Sequence, residues 1–290
     1  MFFTQERKEY QSKMYELKKS NRDYFFSLSL KRKIVKPFLK SRLTRKLVQQ
    51  FTPYSYEEIN NDVNYFSSER IAIYTAIYGN YDQIFEPRTV PDNCDFYIFT
   101  DDVNKISADS AWKYKEFSGK EFDSLTFAEK NRYVKMHPHI LFPDYEYSIY
   151  VDGNIEIVTD FTEFVHDFNE YGVKMHNHYN RSCVYQEIDE CIKYRKCSVE
   201  QLQAYRKKLE REKFPHQLGL LEAPVICREH NNEKCIMIMD AWWKEFYSNI
   251  RRDQIALAYV LFRNAVDIKS LNGLGNDIHA NYAFVQHSHK

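Results

Sequence analysis

The chain has 290 residues, 43% hydrophobic and 28% charged. This is an ordinary soluble composition with length enough for one large domain plus an appendage. Net charge is zero, from 41 basic and 41 acidic residues, which argues against a nucleic-acid-binding body. Six cysteines, at positions 94, 183, 191, 197, 227 and 235, form no CxxC pair. Their spacing excludes a common zinc site and suits reduced, mostly buried thiols.

The charge is unevenly spread. Residues 1–50 hold 14 Lys or Arg against 4 Asp or Glu, leaving 27 against 37 in the other 240. A basic arm on an acidic body has its own partner. Residues 1–50 contain no Gly and one Pro, Pro37, and are expected to be helical. The run Tyr24–Leu30 followed by Lys31-Arg32-Lys33 is a basic amphipathic pattern that can lie on an anionic membrane. A helical extension packed on the body or on a protein partner explains the same pattern. No cleavable signal follows Met1 and no run of 18 apolar residues exists. The expectation is therefore a cytoplasmic protein, with peripheral attachment to the inner membrane face through the arm as its extension. Residues 51–68, with Pro53 and several Asn and Ser, read as a linker, so 1–68 is an extension and 69–290 the body.

Within the body, Ile71–Tyr78 is a strand-like run ending at Gly79-Asn80. Asp95–Thr100 is a second strand, and Trp112–Phe117 a third. Residues 124–140 suit a helix with Ser124 as N-cap and Pro143 beyond its end. Tyr147–Val151 is a fourth strand. Helical patterns follow at 182–195, 198–213, 232–248 and 252–264, with a short strand at Val225–Cys227. Alternating strands and helices predict an α/β domain with a mostly parallel sheet flanked by helices. Ligands bind such sheets outside the carboxyl ends of their strands. That rule groups Thr75–Asn80, Thr100–Asp102 and Asp152–Asn154.

The chemistry-bearing stretches each carry two readings. Asp152-Gly153-Asn154 is a turn, or an oxygen-rich site for Mg²⁺ or Mn²⁺ at a strand exit. Arg132 and Lys135, three apart, share a helix face. They are a solvated basic surface or a grip for a diphosphate or a carboxylate. His178, Arg181 and Glu187 form a structured loop or bind sugar hydroxyls. Asp253 and Gln254 open a helix, where an acid is favourable without any function, or face a substrate. Trp243, beside Trp242, is core or a sugar platform.

Taken together these stretches form a pattern. Tyr74-Thr75-Ala76-Ile77-Tyr78-Gly79-Asn80-Tyr81-Asp82 is followed by Phe99-Thr100-Asp101, then Arg132 and Lys135 ahead of Pro138, then Tyr150–Asn154. His178 through Glu187, Trp242-Trp243 and Arg252-Asp253-Gln254 complete it. The pattern, over roughly 70–264, resembles a glycosyltransferase-like family, formerly a domain of unknown function, with plant Golgi and bacterial polysaccharide-locus members. Residues 1–68 lie outside these motifs.

The resemblance implies a GT-A fold and transfer of a sugar from a nucleotide-sugar donor to a glycan or glycolipid acceptor, in surface polysaccharide synthesis. Asp152-Gly153-Asn154 would stand at the Asp-x-Asp metal motif, with Asn for the second carboxylate. Asp152 would be the main Mn²⁺ or Mg²⁺ ligand, Asn154 a weaker one, and a late histidine, His287 before His279, the missing partner. Thr75, Ala76, Tyr81, Asp101, Asp102 and Gly153 would line the donor site, with Arg132 and Lys135 on the phosphates. Asp253-Gln254 is similar to the Asp-Gln pair of retaining families, which favours retention. In an inverting enzyme Asp253 or Glu187 would be the base. Two rivals stand beside this reading: a metal-dependent hydrolase using Asp152, His176 and His178, and a non-catalytic nucleotide- or glycan-binding module.

Overall fold

The computed structural model describes residues 70–289. The expected basic arm and linker at 1–68 lie outside them. Contacts group Glu69–Lys290 into one compact unit.

In chain order the unit begins with β1 (Ile71–Ile77), β2 (Cys94–Thr100) and β3 (Lys113–Tyr114). Three helices follow: α1 (Lys120–Asp123), α2 (Phe127–Met136) and α3 (Pro138–Leu141). Then come β4 (Tyr147–Val151), β5 (Ile155–Ile157) and β6 (Val173–Asn177), α4 (Val184–Lys193) and α5 (Val199–Arg211). The chain closes with β7 (Leu221–Glu229), α6 (Glu233–Ser248), α7 (Asp253–Arg263) and β8 (Phe284–Gln286).

Six strands form one sheet in the order β3-β2-β1-β4-β7-β6. β1 pairs in parallel with β2 and β4, and β2 with β3. β7 runs antiparallel to β4 and to β6. Five strands therefore share one direction and β7 opposes them, so the mostly parallel α/β sheet is as expected. The carboxyl ends of β1, β2, β4 and β6 and the start of β7 meet on one edge. β5 and β8 make a separate antiparallel pair.

The two sheet faces are covered differently. Buried side chains of every α-helix join one core, with Tyr74, Phe99 and Tyr150 from the sheet. The opposite core holds Ile73, Ile98, Ile149 and Cys227 under Trp112, Phe161, Ile278 and the β5–β8 pair. β1 is buried at all seven positions, as expected for a parallel strand covered on both faces. The cysteines are all free thiols, and all but Cys197 are buried. No helix among the described residues is long and apolar enough to cross a membrane.

The structure moves some predicted boundaries. The helix expected from Ser124 starts after Thr126, whose hydroxyl accepts from the Glu129 N–H while the Glu129 carboxylate accepts from the Thr126 N–H. That reciprocal cap selects Thr126 over Ser124. The same helix ends at Met136 rather than 140, and Pro138 opens α3 as its first residue. The short strand at Val225–Cys227 extends to nine residues, and β6 forms where only loop was expected.

Arg228, on β7, organises the core between sheet and helices. Its guanidinium is fully buried. It donates to the Lys135 carbonyl at 2.7 Å and to the Tyr74 hydroxyl at 2.6 Å. A cation on a last-turn carbonyl satisfies an orphan acceptor and complements the helix dipole. His137 and His230 lie nearby, bonded to the Tyr133 and Phe142 carbonyls at 2.8 and 2.9 Å. Burial above all pushes each imidazole down to about 4, with the Arg228 charge adding to it. The unfolded chain, near 6.5, binds these protons first. Their stabilising contribution is therefore present above about pH 6.5 and is lost as the pH falls toward 4. Urea unfolding of His137→Gln and His230→Gln should show a weaker loss of stability between pH 6.5 and 5 than the parent chain; an identical pH profile would contradict buried neutral histidines.

Candidate active site

The polar cluster at the sheet edge is built around one ammonium group. Lys135, on α2, is 1% exposed. Its Nζ lies 3.2 Å from Asp253 Oδ2 at the start of α7 and 3.4 Å from Asp152 Oδ1 at the exit of β4. It also lies over the Tyr150 ring, 5.2 Å from its centroid. Arg132, one turn earlier on the same face, places Nε 3.0 Å from Asp253 Oδ2. The Tyr150 hydroxyl donates to Asp152 Oδ1 at 2.9 Å, and Trp242 Nε1 donates to the Asp253 carbonyl at 2.8 Å. The cations predicted from spacing do share a face, and that face meets the two carboxylates singled out in the sequence. Burial works to raise the Asp253 pKa. Arg132, Lys135 and Arg252 outweigh it and hold the carboxyl far below the ordinary range. Burial likewise opposes the Arg132 charge, but Asp253 and then Asp152 raise its pKa.

A second network adjoins the first. Glu187, on α4, is fully buried. It accepts from Arg181 Nε at 2.7 Å, Arg252 Nη2 at 3.2 Å and Cys191 Sγ at 3.4 Å. Arg252 Nη2 also donates to Gln254 Oε1 at 3.0 Å, which links the networks. Burial would raise the Glu187 pKa, but Arg252 and Arg181 prevail and lower it. His178 Nδ1 accepts the Asn180 and Arg181 N–H groups at 3.2 and 3.3 Å. Its Nε2 lies 3.0 Å from Arg181 Nη2. Burial, then Arg181, pushes its pKa down to about 4. The expectation that Glu187 serves as a base toward an acceptor is corrected: it is sealed and fully bonded. His178 is likewise a turn-forming acceptor rather than a sugar contact, whereas the Arg181 side chain is 18% exposed.

Trp243 is also corrected. It packs edge-on to Tyr133 at 5.3 Å and stacks on Tyr247 at 5.2 Å, in the seam of α2 and α6. Its neighbour Trp242 is the tryptophan that touches the Asp253 backbone.

The β1 and β2 exits are tied together. Gly79 adopts φ +64°, and its N–H donates to Asp101 Oδ1 at 3.0 Å. That conformation favours glycine, and a Cβ there would also have to displace the exposed Phe127 ring, 2.6 Å away. Asp102 caps a short turn through Asn104 N–H at 3.2 Å. Ala76 lies in the core, its carbonyl held by Asn131 Nδ2 at 2.6 Å. Its expected place on the donor-site wall is therefore corrected to a backbone role. Tyr81 is 63% exposed. The buried Thr75 hydroxyl has no partner and lines a small cavity with Phe85, Trp112, Asp152 and Gly153. Gly153 is sterically required, since a Cβ would lie 2.8 Å from Ile77 and 3.0 Å from Asp82.

The expected metal ligands do not converge. Asn154 turns its amide Nδ2 to the His287 carbonyl at 2.8 Å, and the His287 N–H donates to the Asn154 carbonyl at 2.9 Å. The His287 ring stacks on Phe85 and meets Glu156 Oε2 at 2.9 Å. It therefore faces a carboxylate other than Asp152. His289 instead bonds Asp82 Oδ1 at 2.9 Å. Asp82 was missed because an Asp after a Gly-Asn turn reads as turn chemistry. Asn154 Oδ1 is buried without a partner and so is withdrawn from an open site. Among the described residues no group of three His, Cys, Asp or Glu is placed to hold a metal. The set Asp152, Asn154 and His287 does not fit a divalent cation.

Removing one member of a buried ionic network leaves uncompensated charge. Glu187→Gln should lower unfolding free energy by about 3 kcal/mol in urea titrations; a loss below about 1 kcal/mol, the scale of an exposed pair, would show that Glu187 anchors nothing.

A family model described as TOD1/MUCI70, glycosyltransferase-like domain, matches residues 16–289. The match takes in most of the segment ahead of the quoted motifs. No curated protein matches the chain. Among solved structures, the apo structure of WbbM, a bifunctional glycosyltransferase, aligns at 11% identity with a TM-score of 0.41. The alignment covers 73% of this chain and 39% of that one, so this chain spans well under half of WbbM. By the family match over nearly its whole length, the chain belongs to the TOD1/MUCI70 glycosyltransferase-like family.

Proposed function

We propose that the chain moves a glycosyl group from a nucleotide-sugar donor to a glycan or glycolipid acceptor, with retention of anomeric configuration. The observation that supports this best is the meeting of Arg132 and Lys135 with Asp152 and Asp253 at the ligand-binding edge of the sheet. Fixed cations there can stabilise charge developing on a departing diphosphate.

The state of the carboxylates favours retention. An inverting transfer needs a base for the acceptor hydroxyl, and efficient bases have pKa values near the working pH. Asp253 and Glu187 are both lowered by neighbouring cations, so each holds a proton poorly. Glu222 is pushed up to about 7, chiefly by burial. It is enclosed, however, and its Oε1 accepts from Ile278 N–H at 2.8 Å. The proton then has a simpler route. As the sugar C1–O bond breaks, its electron pair goes to the diphosphate oxygen. The acceptor oxygen bonds to C1 and passes its proton to that same oxygen. Asp253, a permanent anion, is suited to stabilise the oxocarbenium-like centre. Gln254 shares its start of α7 and is steadied by Arg252.

The hydrolase alternative finds less support. His176 is buried with Nε2 3.0 Å from Asn281 Nδ2, and His178 serves its own turn, so neither joins Asp152. Synthesis of a surface glycan, and attachment to an anionic membrane or protein partner through residues 1–50, are part of the proposal and rest on the charge of that arm.

Incubation with UDP-, GDP- and CDP-linked sugars should release nucleoside diphosphate from one donor class, and proton NMR should show the product anomer matching the donor. Asp253→Asn should lower kcat about 100-fold or more with little change in KM. An inverted product would sink the retaining mechanism, and no turnover or thermal stabilisation with any donor would sink the transferase.

A further inference from the structure

We infer that this chain binds and releases the diphosphate of its donor without a divalent metal, the Lys135 ammonium and Arg132 guanidinium supplying the positive charge. The inference rests on the transferase reading above and concerns the same site.

Four observations converge. First, the Asp152 oxygen that faces the cluster already accepts from an ammonium and a phenol, Lys135 Nζ and Tyr150. A dication at that oxygen would sit beside the fixed positive charge of Lys135 and be repelled by it. Second, the motif carries Asn154 in place of a carboxylate. Its amide nitrogen binds the His287 backbone, and its oxygen is buried. Hard cations prefer several charged or carbonyl oxygens, and here one Asp is left. Third, His287 is committed to Glu156 and His289 to Asp82, and the His279 ring packs edge-on against Tyr179 at 5.1 Å.

Fourth, the cations are held in place in advance. The reciprocal cap of Thr126 and Glu129 fixes the start of α2, and Arg228 with Tyr74 grips the Lys135 carbonyl near its end. Lys135 and Arg132 thus project from a helix anchored at both termini, and their charge needs little reorganisation as the leaving group departs. The Arg132 side chain is 28% exposed, so it reaches the mouth of the site, while Lys135 forms the floor. An arginine fork suits phosphate geometry, and lysine acts as a point charge beneath it.

Calorimetric titration of the full chain with UDP, GDP, CDP and ADP, in EDTA and in Mn²⁺, tests this. One nucleotide should bind with Kd values within about threefold in the two buffers, since differences that small are under 1 kcal/mol. Mn²⁺ electron paramagnetic resonance should show the free-ion spectrum with protein alone, and with nucleotide added the same spectrum as the Mn²⁺–nucleotide mixture without protein. Arg132→Gln and Lys135→Met, checked by circular dichroism, should each weaken binding in EDTA about 10-fold or more, and Lys135→Arg should recover part of the loss. Binding that requires Mn²⁺, or a Mn²⁺ spectrum that changes only when protein is present, would overturn the inference and leave the transferase reading standing. No nucleotide binding in either buffer would overturn both.

Discussion

Burying an ammonium group constrains everything around it. Lys135 is nearly inaccessible, and a charge so placed persists only if opposite charge and hydrogen bonds replace water. The chain meets that need with Asp253, 118 residues later, and Asp152, 17 residues later. These contacts hold the exit of β4 and the first turn of α7 against the same face of α2. Arg228 sets the height of that face by gripping the Lys135 carbonyl, and Trp242 secures the Asp253 backbone. The sheet edge, where α/β folds bind ligands, thus acquires two cations and two anions in fixed positions.

The same charge balance shapes the chemistry. A carboxylate kept ionised by three cations serves poorly as a proton acceptor and well as a fixed negative charge. This separates the two roles open to Asp253 and favours the one compatible with retention. Glu187 is enclosed by its partners. It lets Arg181 and Arg252 approach one another, and Arg252 in turn steadies Gln254. A fully buried carboxylate with two guanidinium partners forms part of the site's wall.

Much of this was legible in the sequence where periodicity or capping speaks directly. β1, β2 and β4 are apolar runs with turn residues after them, and α6 and α7 carry uninterrupted helical patterns. The three-residue spacing of Arg132 and Lys135 predicted a shared face, though not which carboxylates would meet it, because those contacts close long loops. β6 was illegible because Lys174, His176 and Asn177 interrupt its apolar pattern, and its pairing with β7 is irregular between Lys174 and His176. Pro224 hid most of β7, since proline seldom sits inside a strand; here its carbonyl accepts from Asp152 N–H at 2.8 Å. Asn154 and His287 meet through backbone and amide groups rather than as side-chain ligands, a distinction no residue pattern encodes.

Lys135 and Asp253 form one energetic unit on which the site depends. A double-mutant cycle in urea with Lys135→Met, Asp253→Asn and the pair measures that coupling directly. The interaction free energy should be about 1–3 kcal/mol, the double variant losing less than the sum of the singles. Additivity within about 0.5 kcal/mol would contradict it.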